Sequence, residues 1–185
     1  MAADPLSRAP SAAGHKRLAC FLIVLVAIML PASPSLAQQP AQGVSGLPLP
    51  RFVSLKAARV NMRVGPGEDY AIAWVFTKAG LPVEVVQEFD NWRRVRDSDG
   101  TEGWVFQGLL TGKRTAVVAP WESGDPLPLR AAPTATAKVT AYLQPGVLAA
   151  VSRCNQGWCR LTDKRFVGWI EQVRLWGVYP DETIE

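Results

Sequence analysis

The feature that most constrains this 185-residue chain is a tandem repeat of a unit of about 60 residues. The stretch 90–106, DNWRRVRDSDGTEGWVF, has a counterpart in 155–170, NQGWCRLTDKRFVGWI. Each stretch places a Trp before a short strand-like run, and each ends in Gly-Trp and an apolar residue after polar turn residues. A unit this small is only marginally stable on its own core, so we expect the two units to support each other.

The two units can be aligned over most of their length. The matched positions are Met62-Arg63 with Leu129-Arg130, Gly65-Pro66 with Ala132-Pro133, Phe76 with Tyr142, Gly80 with Gly146, Trp92 with Trp158, and Gly103-Trp104 with Gly168-Trp169. Insertions fall where turns are expected. We therefore predict domain 1 over 51–113, a linker over 114–122, domain 2 over 123–180, and a polar tail over 181–185 that is frayed.

Five short apolar runs separated by turn signals predict five strands in domain 1. They cover 59–64, 70–76, 81–89, 92–96 and 102–106. The turns between them contain GPGED, TKAG, DN and DSDG, and no run has the length and period of an amphipathic helix. Turns at such short intervals predict an all-β fold, either a small barrel or a sandwich.

Alternation along the strands predicts which side chains face the core. The positions expected to face it are Val83, Val85 and Val95 in domain 1, and Ala149, Val151 and Leu161 in domain 2. Arg93 shares the face of Val95, whereas Trp92 and its counterpart Trp158 point to the other face. Trp121 and Trp176, near the joints between the units, are candidates to pack between the two domains.

The first 37 residues have the features of a secretory signal peptide. Basic residues precede an apolar run over 18–30, and Ser35 and Ala37 occupy the −3 and −1 positions of a cleavage site before Gln38. An uncleaved membrane anchor is the alternative, but this run is shorter than the ~20 residues needed to cross a bilayer. We therefore predict a periplasmic or secreted protein that meets the membrane only through this segment before cleavage. Cys20 lies inside the removed run, which argues against a lipoprotein, and the Pro- and Gln-rich stretch 38–50 is predicted to be a flexible or extended leader.

The charge pattern gives no indication of nucleic-acid binding. Three of the 20 Lys and Arg and one of the 16 Asp and Glu lie in 1–37, which leaves 17 basic against 15 acidic residues after the cleavage site. The basic residues of 93–96 are offset by nearby carboxylates, so no basic surface is expected.

The two cysteines after the cleavage site, Cys154 and Cys159, predict a disulfide. They are close in sequence and belong to an exported chain, where disulfides persist. Half of a metal site is the alternative, but the only His precedes the cleavage site and no further Cys is available, so we predict no metal. No Gly-rich phosphate loop is present either, and we predict no cofactor.

The stretch 60–110 resembles the bacterial SH3-like (SH3b) domain family. The shared marks are N-x-R followed by Gly-Pro, a mid-domain Ala-Gly, a Trp that opens the third strand, and the G-x-x-G-W-V hairpin. Residues 127–175 resemble the family more loosely, since they have PLRAAP at the opening and lack the EDY of domain 1. The resemblance implies two tandem five-stranded, partly open barrels and a role in binding, with peptidoglycan or an envelope protein or peptide as the partner.

The resemblance also implies a candidate ligand groove in domain 1. Its residues are Trp92, Tyr70 and Trp74, with Glu68 and Asp69 on the rim. Rigid aromatic rings with polar edges suit sugar rings or extended peptides. The alternative is that these rings cover a thin core; Trp74, which alternates with Ile72 and Phe76, fits an inward position, and Trp104 and Trp169 are expected to pack across the barrels.

Arg63 and Arg130 occupy the same place in both units. They either bind an anion or bridge turn carbonyls or Glu68, and we favour the structural role.

Catalysis is not expected from this sequence. With no His after the cleavage site and both Cys assigned to a disulfide, Ser-His and Cys-His nucleophile pairs are not available. The carboxylates lie in turns and are not repeated near a Trp, which disfavours a glycosidase pair. The alternative to a binding module is a structural scaffold subunit of an envelope complex that has no small ligand.

Overall fold

A computed structural model describes residues 41–185, so the predictions for the signal segment 1–37 lie outside the described residues. Two seven-stranded antiparallel sheets account for most of this part of the chain. Among residues 41–185, no helix has the length and apolar character that a bilayer span requires.

A short hairpin and the seven strands of domain 1 come first in the chain. The hairpin pairs β1 (Ala41–Gln42) with β2 (Pro48–Leu49). The strands of domain 1 are β3 (Arg51–Leu55), β4 (Val60–Arg63), β5 (Ile72–Phe76), β6 (Pro82–Phe89), β7 (Trp92–Arg96), β8 (Glu102–Phe106) and β9 (Leu110–Thr111). Their order in the sheet is β5-β4-β8-β7-β6-β3-β9.

Domain 2 repeats this arrangement strand for strand. Its strands are β10 (Thr115–Val118), β11 (Leu127–Arg130), β12 (Val139–Leu143), β13 (Leu148–Asn155), β14 (Trp158–Thr162), β15 (Val167–Glu171) and β16 (Leu175–Trp176), in the order β12-β11-β15-β14-β13-β10-β16. One-turn 3₁₀ helices at Gln107–Leu109 and Gln172–Arg174 precede the last strand of each sheet. The all-β prediction of two tandem domains is confirmed.

All five strands predicted for domain 1 are present, and the sheet contains two more. The short β9 carries too little pattern to be recognised. In β3, Phe52, Ser54 and Leu55 are all buried, so the run lacks the alternation that marks a half-exposed strand.

Each domain has its own core, built from the predicted positions. Val83, Val85 and Val95 are buried in domain 1 together with Leu55, Val60, Met62, Phe76 and Val105. Ala149, Val151 and Leu161 are buried in domain 2, where both Cys join the apolar cluster. The alternation of strand residues therefore identified the core faces correctly.

The repeated Gly-Trp pair is explained by close packing at the glycine. A Cβ on Gly103 would lie 2.9 Å from the carbonyl oxygen of Arg63, and one on Gly168 would lie 2.8 Å from that of Arg130. No larger residue fits on this inward face without displacing backbone. Trp104 and Trp169 therefore point to the outer face, where both are half-buried, and the prediction that they pack across the barrels is wrong.

One matched pair in the alignment is corrected by the strand register. Phe76 pairs with Val60, and the corresponding pair in domain 2 is Leu143 with Leu127. Leu143 is buried as Phe76 is, whereas Tyr142 is exposed. The insertion between the two units therefore lies after this strand, in the turn that leads to Gly80 or Gly146.

The stretch 41–50, predicted to be part of a flexible leader, is attached to domain 1. At the tip of its hairpin, Ser45 donates from its backbone N and its Oγ to the Glu88 carboxylate, each at 2.8 Å. Arg51 Nη2 binds the same carboxylate at 2.6 Å. A buried acceptor on domain 1 thus fixes a segment whose own composition gives no sign of order.

Part of the predicted linker 114–122 is a strand of domain 2. Residues Thr115–Val118 form β10, which pairs with β13 and β16. The run TAVV is too short to stand out from a connecting segment, and its pairing partners lie more than 30 residues away in sequence.

The tail, predicted to be frayed, is also held in place. The backbones of Ile184 and Cys154 exchange two hydrogen bonds of 2.9 Å. Glu182 forms an ion pair with Arg114 at 2.6 Å and accepts the backbone N–H of Tyr179. Burial acts to raise the pKa of Glu182, but the Arg114 guanidinium holds it below its usual range.

The two domains meet along the outer face of β6. Trp176 Nε1 donates to the carbonyl oxygen of Pro82 at 3.2 Å, and the Trp176 ring packs edge-on against Phe52 at 5.0 Å. Thr115 Oγ1 donates to Gly80 O at 2.6 Å. Trp176 therefore packs between the domains as predicted, and the closeness of the domains explains why Pro82 is buried on the face of β6 that points away from its own core.

A buried polar contact completes this interface. Tyr179 Oη donates to Glu84 at 2.8 Å, and Arg96 Nε donates to the same carboxylate at 2.9 Å. Burial, together with the Glu84 carboxylate, raises the pKa of Tyr179, so the phenol stays a neutral donor. Because Glu84 is buried, its charge requires these partners.

Candidate functional site

The candidate site is a row of three aromatic residues on the outer face of domain 1. Phe89 pairs with Trp92 across the β6–β7 hairpin, and Trp92 pairs with Phe106 on β8. Directly opposed residues of antiparallel strands project from the same face of a sheet. We call Phe89, Trp92 and Phe106 the aromatic row.

The row exposes much apolar ring surface. Phe89 is 52% exposed and Phe106 41% exposed, and Trp92 is half-buried. The Trp92 and Phe106 rings meet edge to face, with centroids 5.8 Å apart and an interplanar angle of 71°. Aromatic groups held on strands lose little freedom when a ligand binds, so such a row is suited to recognition.

An ion-pair cluster on the inner face holds the same hairpin rigid. Glu88 and Arg93 oppose each other, with 3.1 Å between Oε1 and Nε, and both are buried. Arg93 also donates to Asp90 O at 2.8 Å and to Gln107 Oε1 at 2.8 Å. Burial acts to raise the pKa of Glu88, but hydrogen bonds from Ser45 and Arg51 and the charge of Arg93 lower it to about 2.

The next residues along the outer face are a half-buried Trp and the two Arg that flank it, and these charged neighbours limit the row on that side. Trp104 lies between Arg94 on β7 and Arg63 on β4. Arg94 Nε binds Glu102 at 2.9 Å, and Arg63 Nη1 donates to Tyr70 O at 2.6 Å. Arg130 makes the equivalent contact with Ala137 O at 2.9 Å in domain 2, so the structural role predicted for both Arg is confirmed.

The structure does not bring the predicted groove residues together. Tyr70, Glu68 and Asp69 lie in the loop after β4, whose C-terminal Arg63 is level with Trp104. Trp92 pairs with Phe106, which lies two residues beyond Trp104 on β8 and on the side away from this loop. The Tyr70 ring packs over Gly67, with 3.2 Å between the ring and a Cβ placed there, and Glu68 and Asp69 are exposed. Only Trp92 of the predicted set is part of the aromatic row.

Trp74 is 56% exposed, which corrects the expectation that it packs inward. It pairs with the buried Met62, so strand phase alone places it on the inner face. However, β5 is an edge strand with one neighbour, and the register shift between Met62 and Arg63 adds Ala73 at this point. The resulting bulge bends the strand, so that the core ends before Trp74.

Phe89 and Phe106 were missed by the sequence analysis, although the signal was present. The two-residue turn Asp90-Asn91 places Phe89 opposite Trp92, and the 102–106 run ends in Phe106. That Phe106 lies beside Trp92 depends on the register between β7 and β8, which the positions of the turns do not determine.

The aromatic row offers ring surface and no ligand for a metal ion. No group of three or more His, Cys, Asp or Glu side chains could hold a metal ion among residues 41–185. The row itself contains no titratable side chain. Its chemistry is that of stacking and apolar contact.

The comparisons with known proteins agree with the repeat. The sequence pattern described as "Bacterial SH3 domain" matches residues 56–112 and 123–177. A Bacillus subtilis (strain 168) protein named "Putative N-acetylmuramoyl-L-alanine amidase YrvJ" is 26% identical over 137 residues, which cover 65% of this chain and 26% of that protein. The chain therefore spans about a quarter of the length of this relative.

Two solved structures from Trichomonas vaginalis also match part of the chain. NlpC1 is 12% identical with a TM-score of 0.32, and the match covers 72% of this chain and 48% of that one. NlpC2 is 13% identical with a TM-score of 0.33, and the match covers 68% and 47%. The chain spans about half the length of each.

Proposed function

The chain belongs to the bacterial SH3 domain family, and on that premise we propose that it is a non-catalytic binding protein of the bacterial cell envelope that engages peptidoglycan through the aromatic row. The observation that carries the proposal is the exposure of three adjacent rings on one rigid hairpin. Sugar rings and short peptides both present faces that stack on such rings. The relative is named as a putative amidase of N-acetylmuramoyl-L-alanine, a sugar joined to an amino acid, which supports this class of ligand.

An envelope location is part of the proposal. The Cys154–Cys159 disulfide joins β13 to β14 and is of the kind that persists in oxidising compartments. Together with the signal segment predicted for 1–37, it supports a periplasmic or secreted protein.

The non-catalytic role is proposed because the described residues contain neither a His nor a free thiol. Residues 41–185 contain no His, and their two Cys are bonded to each other. If the role is correct, incubation of purified peptidoglycan with the protein releases no soluble fragments; release above the buffer control would contradict it.

The test of the binding site uses domain 2 as its control. Purified protein is sedimented with insoluble peptidoglycan, and the bound fraction is compared for Trp92→Ala and Trp158→Ala. We expect roughly tenfold weaker binding for Trp92→Ala, as for a ring at the centre of an interface, and no change for Trp158→Ala. If Trp92→Ala strongly lowers the melting temperature, and the protein that remains folded binds peptidoglycan as the parent does, the Trp92 ring has a structural role instead.

A second variant avoids that ambiguity. Phe89→Asn with Phe106→Glu gives domain 1 the residues that domain 2 has at the same places, Asn155 and Glu171. Both Phe side chains are about half exposed, so the variant should fold. Unchanged sedimentation of this folded variant with peptidoglycan would rule out the aromatic row.

A scaffold role is the second candidate, and the edge strand β5 favours it. The strand contains no charged residue, and Ile72 and Trp74 on it are both about half exposed. Uncharged edges of this kind can add a strand from a partner protein. Crosslinking in cells that gives one discrete protein partner, together with no sedimentation on peptidoglycan, would favour the scaffold.

A further inference from the structure

A cleft of about 430 Å³ lies between the two domains, and none of the aromatic-row residues lines it. One wall is the turn between β7 and β8, with Asp97, Ser98 and Gly100. The other wall belongs to domain 2 and includes Trp121 and Val173. Both of these apolar side chains are more than half exposed, so the mouth of the cleft is open to solvent.

The floor of the cleft is preformed. Phe52 packs between Trp176 and Tyr179, with ring centroids at 5.0 and 4.7 Å. The Glu84 carboxylate behind these rings is bound by Tyr179 and Arg96. A site with its rings and buried charge already in place loses little free energy to ordering when a ligand enters.

The charges that line the cleft sum to −1, because two carboxylates, Glu84 and Asp97, face one guanidinium, Arg96. Arg96 forms an ion pair with Glu84, and its Nη1 also lies 3.9 Å from Glu102 Oε1. Asp97 has no salt-bridge partner among the described residues. Its Oδ1 accepts the backbone N–H groups of Asp99 and Thr101 at 3.0 and 2.8 Å, which leaves Oδ2 for a ligand.

A polar atom on the domain 2 wall also lacks a partner. Gln172 is buried and donates from Nε2 to Tyr179 O and Glu182 O at 2.7 and 2.9 Å. Its Oε1 accepts no hydrogen bond among the described residues. A buried acceptor of this kind commonly takes a donor from a bound water.

We propose that this cleft binds the aliphatic primary ammonium group of a lysine-type side chain in a peptide. The ammonium group meets the Asp97 carboxylate, and the methylene stem lies on the Trp121 indole. The exposed indole offers apolar area to the stem, and the Asp97 carboxylate adds charge complementarity to the ammonium group. An anionic ligand would be repelled by Asp97, and Arg96, the cation that lines the cleft, is already paired with Glu84. The charge pattern therefore disfavours an anion.

The test compares two peptides that differ only in the ammonium group. Acetyl-Ala-Lys-Ala-amide and its norleucine analogue are titrated into ¹⁵N-labelled protein at low salt, and amide and indole shifts are followed. We expect about fivefold tighter binding of the lysine peptide, because both peptides make the stem contact and only lysine adds the partly exposed ion pair. The shifts should centre on Trp121 and on Gly100, which lies in the wall beside Asp97.

Three variants assign the binding to the cleft. Asp97→Asn keeps the acceptor that caps the turn but removes the charge, so it should reduce the preference for lysine to less than about twofold. Trp121→Ala, at a side chain 55% exposed, should weaken both peptides without loss of fold. The Phe89→Asn/Phe106→Glu variant should bind both peptides as the parent does, which separates this site from the aromatic row.

The outcomes that would overturn the proposal are distinct. Equal binding of the two peptides, a full lysine preference in Asp97→Asn, or shifts confined to residues outside the cleft would each contradict it.

Discussion

Domains 1 and 2 have the same strand order but hold the same hairpin together by different chemistry. Glu88 opposes Arg93 on the inner face of β6 and β7, and Cys154 opposes Cys159 at the corresponding place in domain 2. One pair is a buried ion pair and the other is a disulfide. The fold thus requires a strong link at this position but does not specify its kind.

The terminal segment that contacts each of these two pairs also differs. The Glu88 carboxylate receives the tip of the N-terminal hairpin through Ser45, whereas the Cys154 backbone pairs with Ile184 of the tail. An ion pair needs further donors to satisfy its carboxylate, and a disulfide does not. At the link itself, the N-terminal hairpin is therefore attached through a charged side chain in domain 1 and the tail through its backbone in domain 2. The tail has a second attachment in the Glu182–Arg114 ion pair.

The outer faces of the same hairpins have diverged further. The aromatic row of domain 1 corresponds to Asn155, Trp158 and Glu171 in domain 2. Since only the central Trp is common to both, the shared fold needs at most that one ring. The two Phe of domain 1 are then free to serve recognition, and domain 2 gives no equivalent surface.

The largest expected effect comes from removing the ionic link. Glu88→Ala leaves Arg93 as a buried charge without its carboxylate, and we expect the free energy of unfolding to fall by about 3 to 5 kcal/mol. Urea denaturation measures this, with Gln87→Ala, an exposed neighbour on the same strand, as the control. A loss below about 1 kcal/mol would mean that Arg93 is satisfied by its carbonyl and Gln107 contacts alone.

Acid should weaken domain 1 more than domain 2. The pKa of Glu88 is about 2 in the folded protein and about 4.3 when unfolded, so its contribution is complete above about pH 4.3 and is lost as pH falls towards 2. The full shift corresponds to roughly 3 kcal/mol, an upper limit because solvent near the hairpin tip screens part of it. Denaturation between pH 6 and 2 measures the loss. Glu88→Gln removes the pH dependence that comes from Glu88 and leaves the one that comes from Glu182. If the free energy of unfolding changes equally with pH in parent and variant, the prediction is contradicted.

Much of the fold could be predicted from the sequence because it depends on local periodicity and on repetition. The five central strands, the inward Val95 and Leu161, and the disulfide all follow from alternation, turn residues and cysteine spacing. The repeat added a check on the strands, because each strand position had to fit both units.

What could not be predicted depends on contacts between distant parts of the chain. The order of 41–50, of β10 and of the tail comes from partners such as Glu88, β13 and Cys154, which lie at least 30 residues away. The inward position expected for Trp74 was wrong because strand phase does not indicate where an edge strand bends. The aromatic row was only partly predicted, since the alignment of Phe106 with Trp92 is set by the register of β8.

Removal of the disulfide should have a smaller effect than removal of the ion pair. For a loop closed between residues 154 and 159, the chain-entropy estimate is about 2 kcal/mol, and we expect Cys154→Ala/Cys159→Ala to lose that amount. Thermal unfolding with and without reductant measures it. A loss as large as that of Glu88→Ala would contradict the ranking.

An exchange variant sharpens the same comparison. Glu88→Cys with Arg93→Cys places the domain 2 pair at the corresponding position of domain 1, and it should form a disulfide without reductant. A thiol assay on the unfolded protein checks this. Two free thiols after oxidation would show that the two hairpins differ in backbone geometry and not only in side chains.

The smallest effect concerns the attachment of the N-terminal hairpin. Ser45→Ala removes the hydroxyl bond to Glu88 but keeps the backbone bond, so we expect a loss of about 1 kcal/mol. Its control in domain 2 is Ser152→Ala, whose exposed hydroxyl donates to Arg160 O at 3.1 Å and should contribute less than about 0.5 kcal/mol. The tail pairs with Cys154 through backbone alone, so Ser45→Ala should not affect it. Faster amide exchange over 41–49 in this variant, with unchanged exchange at Ile184, would show that the two ends are fixed independently. Equal acceleration at both ends would instead mean that the terminal segments open together with the whole sheet.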